Sequence, residues 1–105
     1  MGFVYLIGDE EMPNRYKIGS TRANGVNKRL KQLQTGSSSK LYIKESFETE
    51  HPFKLEKMLH NRFKSLSIIG EWFELSESDV RCFRDVCEEK MNIIESLKSN
   101  PFYFK

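Results

Sequence analysis

The sequence predicts a small α+β domain in which a three-stranded antiparallel sheet is flanked by helices and followed by a long C-terminal helix. Short apolar segments separated by turn residues occupy much of the first half of the chain, and segments of this length are typical of strands. Other segments place apolar residues three and four positions apart, which is typical of amphipathic helices. The 105 residues contain no internal repeat and no linker, so we expect one domain.

Three segments are predicted to form the sheet. The run 3–7 is almost continuously apolar, which indicates a central strand buried on both faces. The segment 8–14 holds three acidic residues, a proline and an asparagine, so it is predicted to be a turn that leads to an antiparallel strand over 16–21. A Gly/Ser-rich loop over 35–40 then precedes the third strand, over 41–47.

Three helices are predicted from the spacing of apolar residues. The first spans 24–34, and Pro52 fits the first turn of the second. Ser76, with Asp79 three positions later, predicts a capped start for the long C-terminal helix, and a brief extended segment over 70–75 precedes it. The apolar stripes of the three helices are, in order, Val26, Leu30 and Leu33; Leu55, Leu59, Phe63 and Leu66; and Val80, Phe83, Cys87, Met91, Ile94 and Leu97.

The cysteines and the apolar runs suggest a cellular location. Cys82 and Cys87 lie on different faces of the predicted helix, so we expect no disulfide between them and two buried or half-buried thiols in a reducing compartment. No apolar run approaches the ~20 residues that span a bilayer, and the N-terminal segment lacks the basic residues that open a signal peptide. We therefore expect a cytoplasmic protein that does not bind membranes, located in the host cell if the protein is viral.

Charge is distributed unevenly along the chain. The segment 12–44 contains eight lysines and arginines and no acidic residue, whereas the other residues carry nine basic and fifteen acidic side chains. If the basic side chains share a face, they attract polyanions and release counterions on binding. A solvated basic surface without a partner is the alternative. The residues predicted to contact nucleic acid are Arg15, Thr21, Arg22, Lys28, Lys31 and Lys40.

Five short motifs carry a family resemblance. They are Val4-Tyr5 in the first predicted strand, 16–21 in the second, 29–33 in the first helix, 55–60 in the second helix and 70–73 after it. In this order and spacing they resemble the GIY-YIG nuclease superfamily. They are similar to its compact branch in phages, large DNA viruses and bacteria, in which a Lys-Ile-Gly core replaces the usual triplet.

The resemblance implies metal-dependent hydrolysis of a nucleic-acid phosphodiester. Tyr5 matches the tyrosine that activates or orients the attacking water, Arg29 the arginine that contacts the scissile phosphate, and Glu56 the glutamate that binds magnesium or manganese. Lys17 stands where the wider family usually has a tyrosine, and we expect it to lower the pKa of Tyr5 or to meet the phosphate. His60 shares a helical face with Glu56, where it is expected to hold a metal-bound water or to accept its proton.

The resemblance covers residues 2 to about 75 and implies a nuclease core over 1–75. The C-terminal helix and tail over 76–105 lie outside the resemblance, and we expect them to pack on the same domain. Double-stranded DNA is the expected substrate, and a homodimer would allow cleavage of both strands. Two alternatives remain open: a catalytically idle protein of this fold that binds nucleic acid, and a viral accessory protein that binds a host factor. Each candidate residue also has a structural explanation, such as a core position for Tyr5 and an exposed helix pair for Glu56 and His60.

Overall fold

The computed structural model describes residues 1–22 and 25–98. These residues form an antiparallel sheet and several helices, so the predicted α+β class is confirmed. The predicted tail beyond residue 98 lies outside the described residues. Within the two described ranges, no helix has both the length and the apolar character needed to cross a bilayer.

The strands are β1 (Gly2–Asp9), β2 (Arg15–Arg22), β3 (Leu41–Thr49), β4 (Ser67–Ile69) and β5 (Trp72–Glu74). Their order in the sheet is β3-β1-β2-β5-β4, and all neighbours are antiparallel. The prediction of three strands was wrong in number, because the segment around Gly70 forms a hairpin that pairs with the start of β2. Gly70 has a φ of +56°, a left-handed conformation that glycine adopts without strain.

The helices of the described chain are α1 (Gly25–Thr35), α2 (Pro52–Arg62), a 3₁₀ turn (Lys64–Leu66), α3 (Glu77–Arg81) and α4 (Phe83–Lys98). The predicted cap of α3 is confirmed: Asp79 N donates to Ser76 Oγ at 3.1 Å, and Ser76 N donates to Asp79 Oδ2 at 3.0 Å. The single helix predicted from this cap onward is interrupted at Cys82, where ψ rises to −1°. It therefore consists of a short α3 and a longer α4.

Side chains of β1 separate into two clusters, because successive strand residues point to opposite faces. Val4 and Leu6 pack with the inner residues of α2 and α4. Tyr5 and Ile7 pack on the other face, with residues of α1 and β3. The central strand is thus buried on both faces, as its apolar run predicts, and the helices cover both faces of the sheet.

The C-terminal stripe contributes to the core as far as Ile94, whereas Leu97 is 38% exposed. The two cysteines differ: Cys87 is buried and Cys82 is exposed. The expectation of burial is therefore confirmed for Cys87 and wrong for Cys82. Burial raises the pKa of the Cys87 thiol to about 12.

Candidate active site

Tyr5 lies near the middle of β1, directly opposite Gly19 of β2. Its ring crosses over the glycine: a Cβ at position 19 would lie 2.3 Å from the Tyr5 hydroxyl oxygen and 2.5 Å from the ring carbon that bears it. Only a residue without a side chain fits beneath this ring. The glycine of the Lys-Ile-Gly core therefore allows the Tyr5 hydroxyl to lie over β2.

Arg29 of α1 contacts this hydroxyl. Its Nε donates to the Tyr5 hydroxyl oxygen at 3.4 Å, and its Nη1 donates to Gln32 Oε1 at 3.2 Å. Lys28 and Lys31 on the same helix stay exposed, because they occupy its outer face. Burial raises the pKa of Tyr5, and the hydrogen bond and charge of Arg29 oppose this rise without cancelling it. The phenol is therefore neutral at physiological pH.

α2 meets β2 through two polar contacts. The Ser20 hydroxyl donates a hydrogen bond to Glu56 Oε1. The Ile18 carbonyl oxygen accepts a hydrogen bond from His60 Nε2 at 2.8 Å. The contacts are two residues apart on the strand and four apart on the helix, spacings that keep each pair of residues on one face. The Glu56 and His60 side chains consequently lie along β2 in one line.

His60 acts as a hydrogen-bond donor in this arrangement. Its Nε2 must carry the proton, because a carbonyl oxygen only accepts. The same nitrogen lies 3.7 Å from Glu56 Oε2, so the N–H also faces the carboxylate. This geometry suits a histidine that orients Glu56. Acceptance of a proton from water, which the sequence analysis expects, would require the other ring nitrogen.

Glu71 joins Glu56 and His60 from the β4–β5 hairpin. One ligand atom from each of these residues lies within 4.8 Å of the other two. The backbone N–H of Ile18 donates to the Glu71 carbonyl oxygen at 3.0 Å, which fixes the hairpin against β2. Glu71 has no predicted role, although it belongs to the motif 70–73. The sequence signal for Glu71 was an acidic residue directly after a turn glycine. Only the folding of the hairpin brings Glu71 close to Glu56.

Lys17 pairs with Glu71. Its Nζ lies 3.2 Å from Glu71 Oε1 and 5.7 Å from the centroid of the Trp72 ring, and its side chain is only 13% exposed. The expected lowering of the Tyr5 pKa by Lys17 is wrong, because burial raises that pKa and the cation at the phenol is Arg29. Lys17 instead neutralises Glu71 and holds the hairpin to β2.

The two carboxylates form a donor set that fits a hard cation. Burial raises the pKa of Glu56; the charge of Glu71 adds to this rise, while the hydrogen bond from Ser20 and the charge of His60 oppose it. Two carboxylates so close together repel each other, and a cation between them relieves that repulsion. Carboxylate oxygens are also the ligands that magnesium and manganese prefer. Glu56 and Glu71 therefore suit the divalent ion that the sequence predicts.

Some of the predicted nucleic-acid contacts lie near this site. Lys28 and Lys31 are exposed on α1, the helix that carries Arg29. Thr21 and Arg22 end β2, and the Thr21 hydroxyl donates to the Arg22 carbonyl oxygen at 3.3 Å. These residues belong to elements that also supply the candidate catalytic side chains.

Arg15 and Lys40 lie toward the end of the sheet that is opposite Arg22. Arg15 begins β2, opposite Glu74 of β5, and an eight-residue strand is about 23 Å long. Lys40 precedes β3, and its carbonyl oxygen accepts from Glu10 N at 3.0 Å, in the acidic turn after β1. The basic residues of the segment 12–44 are therefore spread along the length of the sheet.

A further basic surface, which the charge pattern does not indicate, lies between α2 and α4. We call it the α2–α4 groove. Three of its cations lie on α2 and one lies on α4, in a part of the sequence in which acidic residues predominate. The groove is lined by Lys54, Lys57, Met58, Asn61, Arg62 and Lys90.

Comparison with known proteins places the chain in a family. The T5orf172 domain, a phage and viral domain related to nuclease-like families, matches residues 2–88. This range contains every candidate catalytic residue and continues into α4, beyond the extent of the motif resemblance. The chain is 36% identical over 78 residues to "Uncharacterized protein 460R" of Invertebrate iridescent virus 6, an alignment that covers 70% of this chain and 34% of that protein.

The chain thus spans about a third of the length of this viral relative. No solved structure matches the chain. The match over residues 2–88 covers most of the sequence. This protein belongs to the T5orf172 domain family.

Proposed function

We propose that this protein is a metal-dependent endonuclease of the GIY-YIG type that hydrolyses phosphodiester bonds in nucleic acid, with DNA as the expected substrate. The convergence of Glu56, Glu71 and His60, with ligand atoms within 4.8 Å of one another, carries the proposal. The charges of both glutamates act on Tyr5 and on Arg29, so these groups belong to one electrostatic site. The relation of the family to nuclease-like domains supports the same activity.

Glu56 and Glu71 would hold a magnesium or manganese ion and leave its other positions to water and phosphate oxygens. Such an ion supplies charge neutralisation and Lewis-acid polarisation of the phosphate. Both carboxylates are already oriented by neighbours: Glu56 by Ser20 and His60, and Glu71 by Lys17. Supporting contacts of this kind fix the ligands before an ion binds and strengthen its binding.

Arg29 would contact the scissile phosphate, because its guanidinium offers several donors in one plane. Tyr5 would act as a hydrogen-bond donor. Its oxygen accepts the Arg29 Nε proton, which leaves its own proton for a phosphate oxygen or for the attacking water. The raised pKa keeps that proton in place near neutral pH. The phenol would therefore orient the reactants.

Cleavage of supercoiled plasmid DNA tests the proposal, with magnesium, with manganese and with a chelator. We expect nicking that requires the ion, and a loss of at least about 10²-fold in Glu56→Gln, the scale of one lost electrostatic contributor. The matched control is Glu74→Gln, which removes an exposed carboxylate from the same hairpin that carries Glu71. Cleavage that persists in chelator, or a Glu56→Gln variant as active as wild type, would contradict the proposal.

A catalytically idle nucleic-acid-binding protein is the second candidate. The observation that favours it is the ion pair of Lys17 with Glu71, which neutralises one of the two candidate ligands. In that case the purified protein should bind DNA without binding manganese, and Glu56→Gln should leave DNA affinity unchanged. Calorimetric titration with manganese distinguishes the two functions. A homodimer and a host-protein partner remain expectations from the sequence.

A further inference from the structure

α2 and β2 make a third contact, beyond the two that involve Glu56 and His60. Two residues after Ser20, which donates to Glu56, the Arg22 guanidinium carbon lies 5.0 Å from the centroid of the Phe53 ring. Phe53 precedes Glu56 by three positions on α2, so both project from the same side of the helix. Two residues of strand advance about 6.6 Å, so Arg22 and Phe53 lie one step along β2 from the contact between Ser20 and Glu56, on the side away from Glu71.

Phe53 is 54% exposed although it is a large aromatic residue. Its backbone is held in place by the preceding residue, because Pro52 packs against Gly2: a Cβ at position 2 would lie 2.8 Å from Pro52 Cγ. The ring also has a cation above it, which is a favourable contact at an exposed site. Position, exposure and the Arg22 contact together distinguish Phe53 from an ordinary surface apolar residue.

An aromatic ring combined with an arginine is a platform on which nucleobases stack. Inside a duplex the bases already stack on one another, and a protein ring reaches their faces only when a base is unpaired or a step is opened. A platform beside the scissile phosphate consequently favours a substrate whose flanking base is free.

We propose that Phe53 and Arg22 stack an unpaired base next to the scissile phosphate, so that the substrate of this site is single-stranded or locally unpaired nucleic acid. This inference rests on the proposed nuclease function and replaces the double-stranded substrate expected from the sequence with an unpaired one. The platform provides stacking without base-edge hydrogen bonds, so it selects unpaired structure and not a particular sequence.

The test measures binding in chelator, where no cleavage occurs, with a single-stranded DNA oligonucleotide that carries the fluorescent base 2-aminopurine. We expect wild type to quench the fluorescence by stacking. Phe53→Ala should weaken binding about 10-fold and abolish the quenching, because the stacking surface is lost. Phe53→Trp should retain both, since it keeps an aromatic face. The matched control is Ile69→Ala, which truncates an apolar residue that is 72% exposed and should change neither.

The possible results distinguish a failure of the stacking platform from a failure of the proposed nuclease function. If Phe53→Ala binds and quenches like wild type, or if Phe53→Trp fails like Phe53→Ala, the stacking platform is overturned even when wild type cleaves DNA. Equal affinity of wild type for the single strand and its fully paired duplex would also overturn it. If wild type shows the stacking pattern and no metal-dependent cleavage, the nuclease proposal fails while the platform stands.

Discussion

At the scale of single residues, the position of Tyr5 depends most directly on Gly19. The tyrosine ring fills the space that a side chain at position 19 would need, with a closest approach of 2.3 Å. A Cβ at position 19 would force the Tyr5 ring to move, and the Tyr5 hydroxyl would move with the ring relative to Arg29. Stability and site geometry are therefore coupled through one glycine.

We predict that Gly19→Ala lowers the free energy of unfolding by about 1–3 kcal/mol, the usual cost of overpacking a buried position. The control is Gly36→Ala, because the nearest atom to a Cβ at position 36 would be the Leu33 carbonyl oxygen, at 3.8 Å, which is an ordinary van der Waals contact. Urea denaturation of both variants gives the comparison. Equal stabilities would show that the Tyr5 ring does not occupy the space over Gly19.

Thiol chemistry offers a second prediction for individual residues. The thiolate is the reactive form of cysteine, and burial raises the pKa of Cys87 to about 12, so this thiol is protonated and shielded at pH 8. Cys82 is exposed. A thiol-reactive disulfide reagent should therefore label one cysteine in the native protein and two in urea. In Cys82→Ser, native labelling should disappear; rapid labelling of that variant would contradict the buried position of Cys87.

At the scale of elements, the β4–β5 hairpin completes the candidate site. It extends the sheet beside the first residues of β2 and delivers Glu71 to a carboxylate that α2 supplies. Strand, helix and hairpin each contribute one side of the site, so no single element carries the chemistry. Lys17 links the hairpin to β2 through its ion pair with Glu71, at 3.2 Å.

We predict that Glu71→Gln weakens manganese binding by at least about 10-fold, because the amide removes one of the two anionic ligands. Calorimetry on the full chain measures this directly. Glu74→Gln removes an exposed carboxylate of β5 and should bind manganese like wild type. If Glu71→Gln also binds like wild type, Glu56 holds the ion without Glu71, and the hairpin has a structural role alone.

Elements with a clear apolar pattern were predictable from the sequence, and elements without one were not. The apolar run of β1 and the cap at Ser76 can each be predicted from a few neighbouring residues, and both predictions are confirmed. β5 lies within the extended segment that the sequence predicts over 70–75, whereas β4 and the pairing of both strands with the sheet were not predicted, because three residues are too few for an alternating pattern to show. The helix break at Cys82 could not be predicted, because no proline or glycine stands near it in the sequence. Glu71 was missed for the same reason as its hairpin.

At the scale of the whole molecule, folding redistributes the charge that the sequence places in one segment. Lys28 and Lys31 lie on the helix of Arg29, whereas Arg15 begins β2 and Lys40 precedes β3. The α2–α4 groove adds cations from a region that is acidic in sequence, on the helix that carries Glu56 and Phe53. A polyanion bound at the site would therefore meet cations of α1 on one side of the sheet and of α2 on the other.

We predict that nucleic-acid binding follows these two helices and not the basic segment as a whole. Reversing Lys28 and Lys31 to Glu, or Lys54 and Lys57 to Glu, should weaken binding. Each double change should also flatten the slope of log affinity against log salt by about 1–2, because each lost phosphate contact removes about 0.9. Lys40→Glu is the control, since this lysine adjoins the acidic turn after β1 and should leave the slope unchanged.

The salt titration is made in chelator and in a Glu56→Gln background, so that cleavage does not distort the affinities. Because all five lysines are exposed, their reversal should not disturb the core, and circular dichroism verifies this. If Lys40→Glu flattens the slope as much as the reversal of Lys28 and Lys31 does, the nucleic acid contacts the whole basic segment 12–44. The prediction that binding follows α1 and α2 is then wrong. If only the α1 pair matters, the α2–α4 groove lies off the path of the strand, and Phe53 would then mark the limit of the bound nucleic acid on that side.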